Sequence, residues 1–205
     1  MKFFLFLIML CLNNLSSYAQ ATVDYSDAYF ERAYSRSLQQ DYAGAIYDYG
    51  KAIECNPEFV KAYYFRGLAK SMSEDYAGSI ADCSRAIELN PKYKEAYNVR
   101  ALSKWFLKDY RGAISDYNKL IELNPRSSES YYFRGLSKDE LEDYSGSMLD
   151  YNKAIELNPK YKQAYYMRGM TKLILGDKDG GCMDLSKAGE LGHEQAYNSI
   201  ELHCN

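Results

Sequence analysis

The sequence predicts an all-α solenoid, five helical hairpins in series closed by a C-terminal helix, and three observations predict it. The four prolines of this 205-residue chain, Pro57, Pro91, Pro125 and Pro159, fall 34 residues apart, each behind an asparagine (Asn56, Asn90, Asn124, Asn158). The same step carries Arg32, Arg66, Arg100, Arg134 and Arg168, then Gly44, Gly78, Gly112, Gly146 and Gly180, and Asp48, Asp82, Asp116, Asp150 and Asp184. Within each step apolar residues recur at helical spacing on both sides of a short break, the mark of a supersecondary unit stacked in an array.

The N-terminal segment stands outside that pattern. Met1 and Lys2 give a positive start, Phe3 to Leu12 an apolar run, and Asn13 to Ala19 a polar stretch ending in the small residues Ser17 and Ala19. This is the layout of a cleavable export signal over residues 1–19, with the cut before Gln20 and a short lead over 20–25. The apolar run is about half the roughly 20 residues that a spanning helix needs, so no membrane span is expected after cleavage. Leu10 before Cys11 speaks against lipoprotein processing, which prefers a small residue there.

The five units then occupy 26–59, 60–93, 94–127, 128–161 and 162–193. In the third, Ala96, Tyr97, Val99, Arg100, Ala101 and Lys104 follow one helix, and Ala113, Ile114, Tyr117, Leu120 and Ile121 a second. Asp41, Asp75, Asp109, Asp143 and Asp177 stand where the second helix needs an N-cap, an acceptor for its free first amides. Asn-Pro ends that helix, because proline disfavours helical geometry in the residue before it. In an antiparallel hairpin turning near the fifteenth position, the seventh and twenty-third residues lie opposite. Five structural ion pairs are therefore expected: Arg32/Asp48, Arg66/Asp82, Arg100/Asp116, Arg134/Asp150 and Arg168/Asp184. Gly67, Ala101, Gly135 and Gly169 are expected where the two helices cross closely, and the Gly44 to Gly180 set is read the same way. After Leu191 the Asn-Pro is missing and a first-helix pattern restarts early, so residues 194–205 are expected to form a capping helix with Glu194, Gln195, Asn198 and Glu201 towards water.

Tyr97, Arg100, Ala101, Lys104, Ala113, Tyr117, Leu120 and Pro125 fill the signature positions of the unit 94–127 in a pattern that resembles the tetratricopeptide repeat over about four-fifths of the chain. The departures are an arginine for the usual leucine, a lysine for the usual tyrosine and a glycine opening the second helix. The resemblance implies a right-handed superhelix whose first helices line a concave groove for a peptide or a partner's helix. The candidate groove residues are then Phe30, Tyr64, Asn98, Tyr132 and Tyr166; Tyr34, Leu68, Leu102, Leu136 and Met170; and Ser37, Ser71, Trp105, Asp139 and Leu173. Asn98 and Trp105 break the period, and non-repeating residues at repeated groove positions are where specificity can reside. The basic clamp by which some members grip a terminal carboxylate is not matched, since Phe30, Tyr34, Phe65, Glu95 and Val99 occupy its places.

The composition excludes other classes. With 25 basic against 28 acidic residues, a net charge of −3 and a pI near 5.5, no basic footprint for nucleic acid exists. The two histidines, His193 and His203, belong to no metal-site or catalytic motif, and no phosphate loop or nucleophile elbow occurs. No enzyme, cofactor or metal is expected. Export makes a disulfide permissible, and Cys182 with Cys204 is the candidate pair, while Cys55 and Cys83 read as small buried thiols. The expected function is an exported, non-enzymatic scaffold, periplasmic or secreted, with a protein or peptide partner. The alternatives are a receptor using the tyrosine-rich groove for a carbohydrate or other small ligand, and a spacer in an envelope complex. A further alternative is self-association through the first hairpin, which has no clear cap of its own.

Overall fold

The computed structural model describes residues 25–204, so the export signal and most of the lead lie outside the described residues. Eleven helices follow in order. The first helices of the five units are α1 (Ser26–Leu38), α3 (Val60–Met72), α5 (Lys94–Phe106), α7 (Ser128–Asp139) and α9 (Lys162–Ile174). The second helices are α2 (Tyr42–Cys55), α4 (Tyr76–Leu89), α6 (Tyr110–Leu123), α8 (Tyr144–Leu157) and α10 (Lys178–Glu190), and α11 (Glu194–His203) ends the series. Each helix packs on its neighbours in sequence, which makes an all-α solenoid. The first helices of successive units also touch, α1 with α3, α3 with α5 and α7 with α9, to an extent that the second helices do not match. The stack is therefore tighter on the first-helix side.

Local chemistry sets the helix ends. Asp41, Asp75, Asp109, Asp143 and Asp177 accept the amides of Gly44, Gly78, Gly112, Gly146 and Gly180 at 2.9 to 3.0 Å. A Cβ on any of these glycines would fall on the capping carboxylate, which accounts for that glycine column; it serves the cap and not the close crossing of the helices. The asparagines before each proline are extended, and their side chains accept the amide two residues on, as in Asn56 to Glu58 at 3.1 Å. After α10, Gly192 takes φ +86° in place of Asn-Pro, and the His193 amide closes on Ala188 at 2.9 Å, so α11 starts early. A side chain at Gly192 would be strained in this left-handed conformation.

The core is a column of buried side chains from the second helices, Tyr49, Cys83, Tyr117, Tyr151 and Leu185, under alanines of both helices. Gly67 and Gly135 face this column, where a Cβ would stand 2.8 Å from Cys83 Sγ and 2.7 Å from the Tyr151 ring. Burial pushes the Cys83 thiol up to about 12, so it stays a protonated, unreactive filler. Cys55 corrects the sequence expectation. It is exposed in the last turn of α2, at the edge where its counterparts Leu89, Leu123 and Leu157 are only half-buried.

The arginines and aspartates meet as bidentate pairs. Asp116, 3% exposed, accepts Arg100 Nε at 3.0 Å and Nη2 at 2.6 Å, and Lys104 Nζ at 2.8 Å. Lys70, Lys138 and Lys172 join Asp82, Asp150 and Asp184 at 2.8 Å, and Arg36 joins Asp48 at 3.0 Å. Each guanidinium also lies over a tyrosine one turn back, 5.5 Å for Arg100 on Tyr97. Three reach into the preceding unit, Arg100 to Ser84 at 2.9 Å, Arg134 to Asn118 and Arg168 to Asn152 at 2.7 Å.

The Arg32 bond holds the Asp48 carboxyl below its ordinary value of 3.8. The folded state then binds this proton less readily than the unfolded chain, so the contribution is complete above 3.8 and is lost as pH falls from there through the folded value. Urea midpoints followed through that acid range should fall less steeply for Asp48→Asn, which is less stable at neutral pH; parallel curves would mean the pair is not linked to folding.

At the C-terminal end, α11 lays Ala196 and Ser199 on the fifth hairpin and leaves Glu194, Gln195, Asn198 and Glu201 on the outer side. Cys182 and Cys204 form a disulfide, with Cα atoms 5.8 Å apart. Among the described residues no helix is long and apolar enough to cross a membrane.

Candidate functional site

The first-helix face is built from three columns, set by helix geometry because residues three or four apart share one side. The column nearest the start of these helices holds Phe30, Tyr64, Asn98, Tyr132 and Tyr166. Each aromatic member meets the ring just ahead of the next first helix. Phe30 lies 5.0 Å from Phe59, Tyr64 5.1 Å from Tyr93, Tyr132 5.0 Å from Tyr161, and Tyr166 stacks on His193 at 4.2 Å. These rungs join one unit to the next. Burial raises the phenol pKa of Tyr64, Tyr93, Tyr132 and Tyr161, so all four remain neutral.

The rung between the third and fourth units is missing. The two positions hold Asn98 and Ser127, and a cavity of about 240 Å³ opens there, lined by Lys94, Glu95, Asn98, Leu120, Asn124, Ser127, Glu129 and Ser130. Among successive first helices within the five units, α5 and α7 approach each other less closely than the other pairs. Ser127 caps α7 by accepting the Ser130 amide at 3.2 Å, which fixes its hydroxyl on the cavity wall. Sequence reasoning singled out Asn98 but missed Ser127, because the contact partner belongs to the next unit.

The middle column holds Tyr34, Leu68, Leu102, Leu136 and Met170. Tyr34, 40% exposed, stands edge-on to Phe65 at 5.5 Å. With Leu68 it lines an apolar cavity of about 340 Å³ between the first two units, completed by Ser37, Leu38, Phe65 and Met72. Leu102, Leu136 and Met170 are half-buried.

The third column holds Trp105 and Asp139. The Trp105 ring packs against the core around Tyr117 and lies 6.1 Å from Tyr110 and 5.5 Å from Phe106. Its indole N–H is buried without a partner, as is Asp139 Oδ1; Asp139 Oδ2 accepts Tyr151 Oη at 2.6 Å and Thr171 Oγ1 at 3.1 Å. Asn98 and Trp105 do not share a cavity, being seven residues apart on α5, about 10 Å along its axis. Among the described residues no group of His, Cys, Asp or Glu is placed to hold a metal ion.

Comparison with known proteins places this architecture. Residues 60–93, 94–127 and 128–161 match one family profile described as tetratricopeptide repeat, and residues 150–182 match a second of the same description. Among solved structures, a crystal structure of MamA superposes with a TM-score of 0.76 at 22% identity, covering 80% of this chain and 96% of that one. MamA from Desulfovibrio magneticus RS-1 gives 0.79 at 18% identity over 85% of this chain and 99% of its own. YrrB, described as a TPR protein with an unusual peptide-binding site, gives 0.76 at 18% identity over 91% and 97%. Identities this low carry the fold alone. No curated protein sequence matches the chain.

Proposed function

This chain belongs to the tetratricopeptide-repeat family, and from that premise we propose that it is an exported, non-enzymatic scaffold holding an extended segment of a partner protein along its first-helix face. The observation that carries the reading is the interrupted column on that face. Four junctions are closed by ring pairs, whereas the junction at Asn98 and Ser127 is open, and the apolar cavity beside Tyr34 and Leu68 lies on the same side. A face with one polar and one apolar recess suits an extended peptide that presents side chains at intervals, the mode in which pockets give specificity. That YrrB is described as having a peptide-binding site agrees with such a role.

Export is supported by the signal pattern before Gln20 and by the bonded Cys182 and Cys204, since disulfides persist in oxidising compartments. The test is photo-crosslinking in the producing cell, with the reactive residue placed at Tyr34 in one variant and at exposed Ser115 on α6 in another. One envelope or secreted protein captured from Tyr34 and not from Ser115 is the expected result. Capture from Ser115 alone would move the contact to the outer side, and capture from neither position would refute the scaffold reading.

A further inference from the structure

We propose that the open junction between α5 and α7 takes the guanidinium of an arginine side chain from the peptide bound along this face, an inference that rests on the groove reading above. At every other junction two flat rings fill the equivalent space, so what is missing here is a flat group entering from outside. The cavity, about 240 Å³, has room for a side-chain head.

Its chemistry selects a cation. Glu95 and Glu129 line it against the single ammonium of Lys94, and among the described residues neither glutamate is held in an ion pair. Glu95 is close enough to contribute to the raised pKa of Tyr64 and Tyr93, and Glu129 to that of Tyr161, so each carboxylate stands beside one of the flanking ring pairs. A guanidinium here meets carboxylates at its edge, and its plane fits the space that two flat rings take at the other junctions, a combination of charge and flatness that arginine supplies. The Asn98 carboxamide and the Asn124 side chain add acceptors for a group with five N–H donors. An aromatic side chain would leave both carboxylates facing a ring, and a lysine ammonium, compact and strongly hydrated, would not fill a flat gap.

The probe is a random dodecapeptide library selected against the full chain, against Asn98→Tyr/Ser127→Tyr, which restores the rung used at the neighbouring junctions, and against Glu95→Gln/Glu129→Gln, which keeps the shape. Helicity of each variant is checked first. Peptides selected by the parent should share an arginine. Replacing it with citrulline, equal in shape but uncharged, should weaken binding about tenfold or more, the scale of a lost charge-assisted hydrogen bond. Neither variant should select that arginine. Parent-selected peptides without arginine, or equal binding of the citrulline form, would overturn the proposal and leave the groove reading intact. If no protein in the set selects any peptide, both fall together.

Discussion

Asp116→Ala should lower the unfolding free energy by about 3–5 kcal/mol, read as a shift of the urea midpoint, because it strands two cations that the fold has drawn out of water. Asp116 is 3% exposed, and its two oxygens serve Arg100 and Lys104 together, while those side chains are each only 17% exposed. Coulomb attraction alone would not give such a figure, since a well-made buried pair roughly offsets its own desolvation. The loss arises from the asymmetry. With the carboxylate gone, the guanidinium and the ammonium face each other across a partly buried site with no counter-charge. Arg100 also bridges to Ser84 of the preceding unit at 2.9 Å, so its displacement loosens the contact between units as well. A loss below about 1 kcal/mol would mean that both cations relax into solvent, the behaviour of an exposed pair. Asp116→Asn, which keeps the volume, separates loss of packing from loss of charge.

Reducing the Cys182–Cys204 bond should lower the stability of the α11 end by about 3 kcal/mol, the loop-closure value for a bridge spanning 22 residues. Hydrogen exchange reads this directly. Amides of α11 should lose roughly a hundredfold of protection on adding dithiothreitol, the same energy expressed as an opening constant. Amides of α5 and α6 should not change, because α11 packs on α10 and the effect has no long contact to travel through. Equal protection of α11 with and without reductant would show that Ala196, Ser199 and the stacking of His193 on Tyr166 hold the end without covalent help.

These two sites also mark what the sequence reveals and what it hides. The hairpins were legible because their ends are written in local chemistry that repeats: an aspartate ahead of each second helix, Asn-Pro behind most of them. Features that cross from one unit to the next were not. The third bond of the arginines lands on a position that varies through Gly50, Ser84, Asn118 and Asn152, so no column of identical residues announces it. Asn98 stood out as a break in a column, whereas Ser127 did not, because its meaning depends on the residue it faces across a turn. Backbone strain was hidden too. Gln40, Glu74, Lys108 and Glu142 all take φ between 59° and 66° at the turn of the hairpin, and only the fifth unit shows this in sequence, through Gly176. Trp105 was conspicuous for its rarity, yet composition carries no depth, and its ring is committed to the packing around Tyr110 and Tyr117.

Packing confined to adjacent units gives the molecule a direction. Every helix leans on those beside it in sequence, and the last one is sewn to the hairpin before it by a covalent stitch. At the opposite end the Arg32 side chain is 53% exposed, against 17% for Arg100 and Arg168, so the first clamp is the most open to water. A pulling force or a translocating motor would accordingly peel the array from its first hairpin inwards, one unit at a time. A peptide held along the first-helix face, as proposed above, would then be released from its front end while the rear still held.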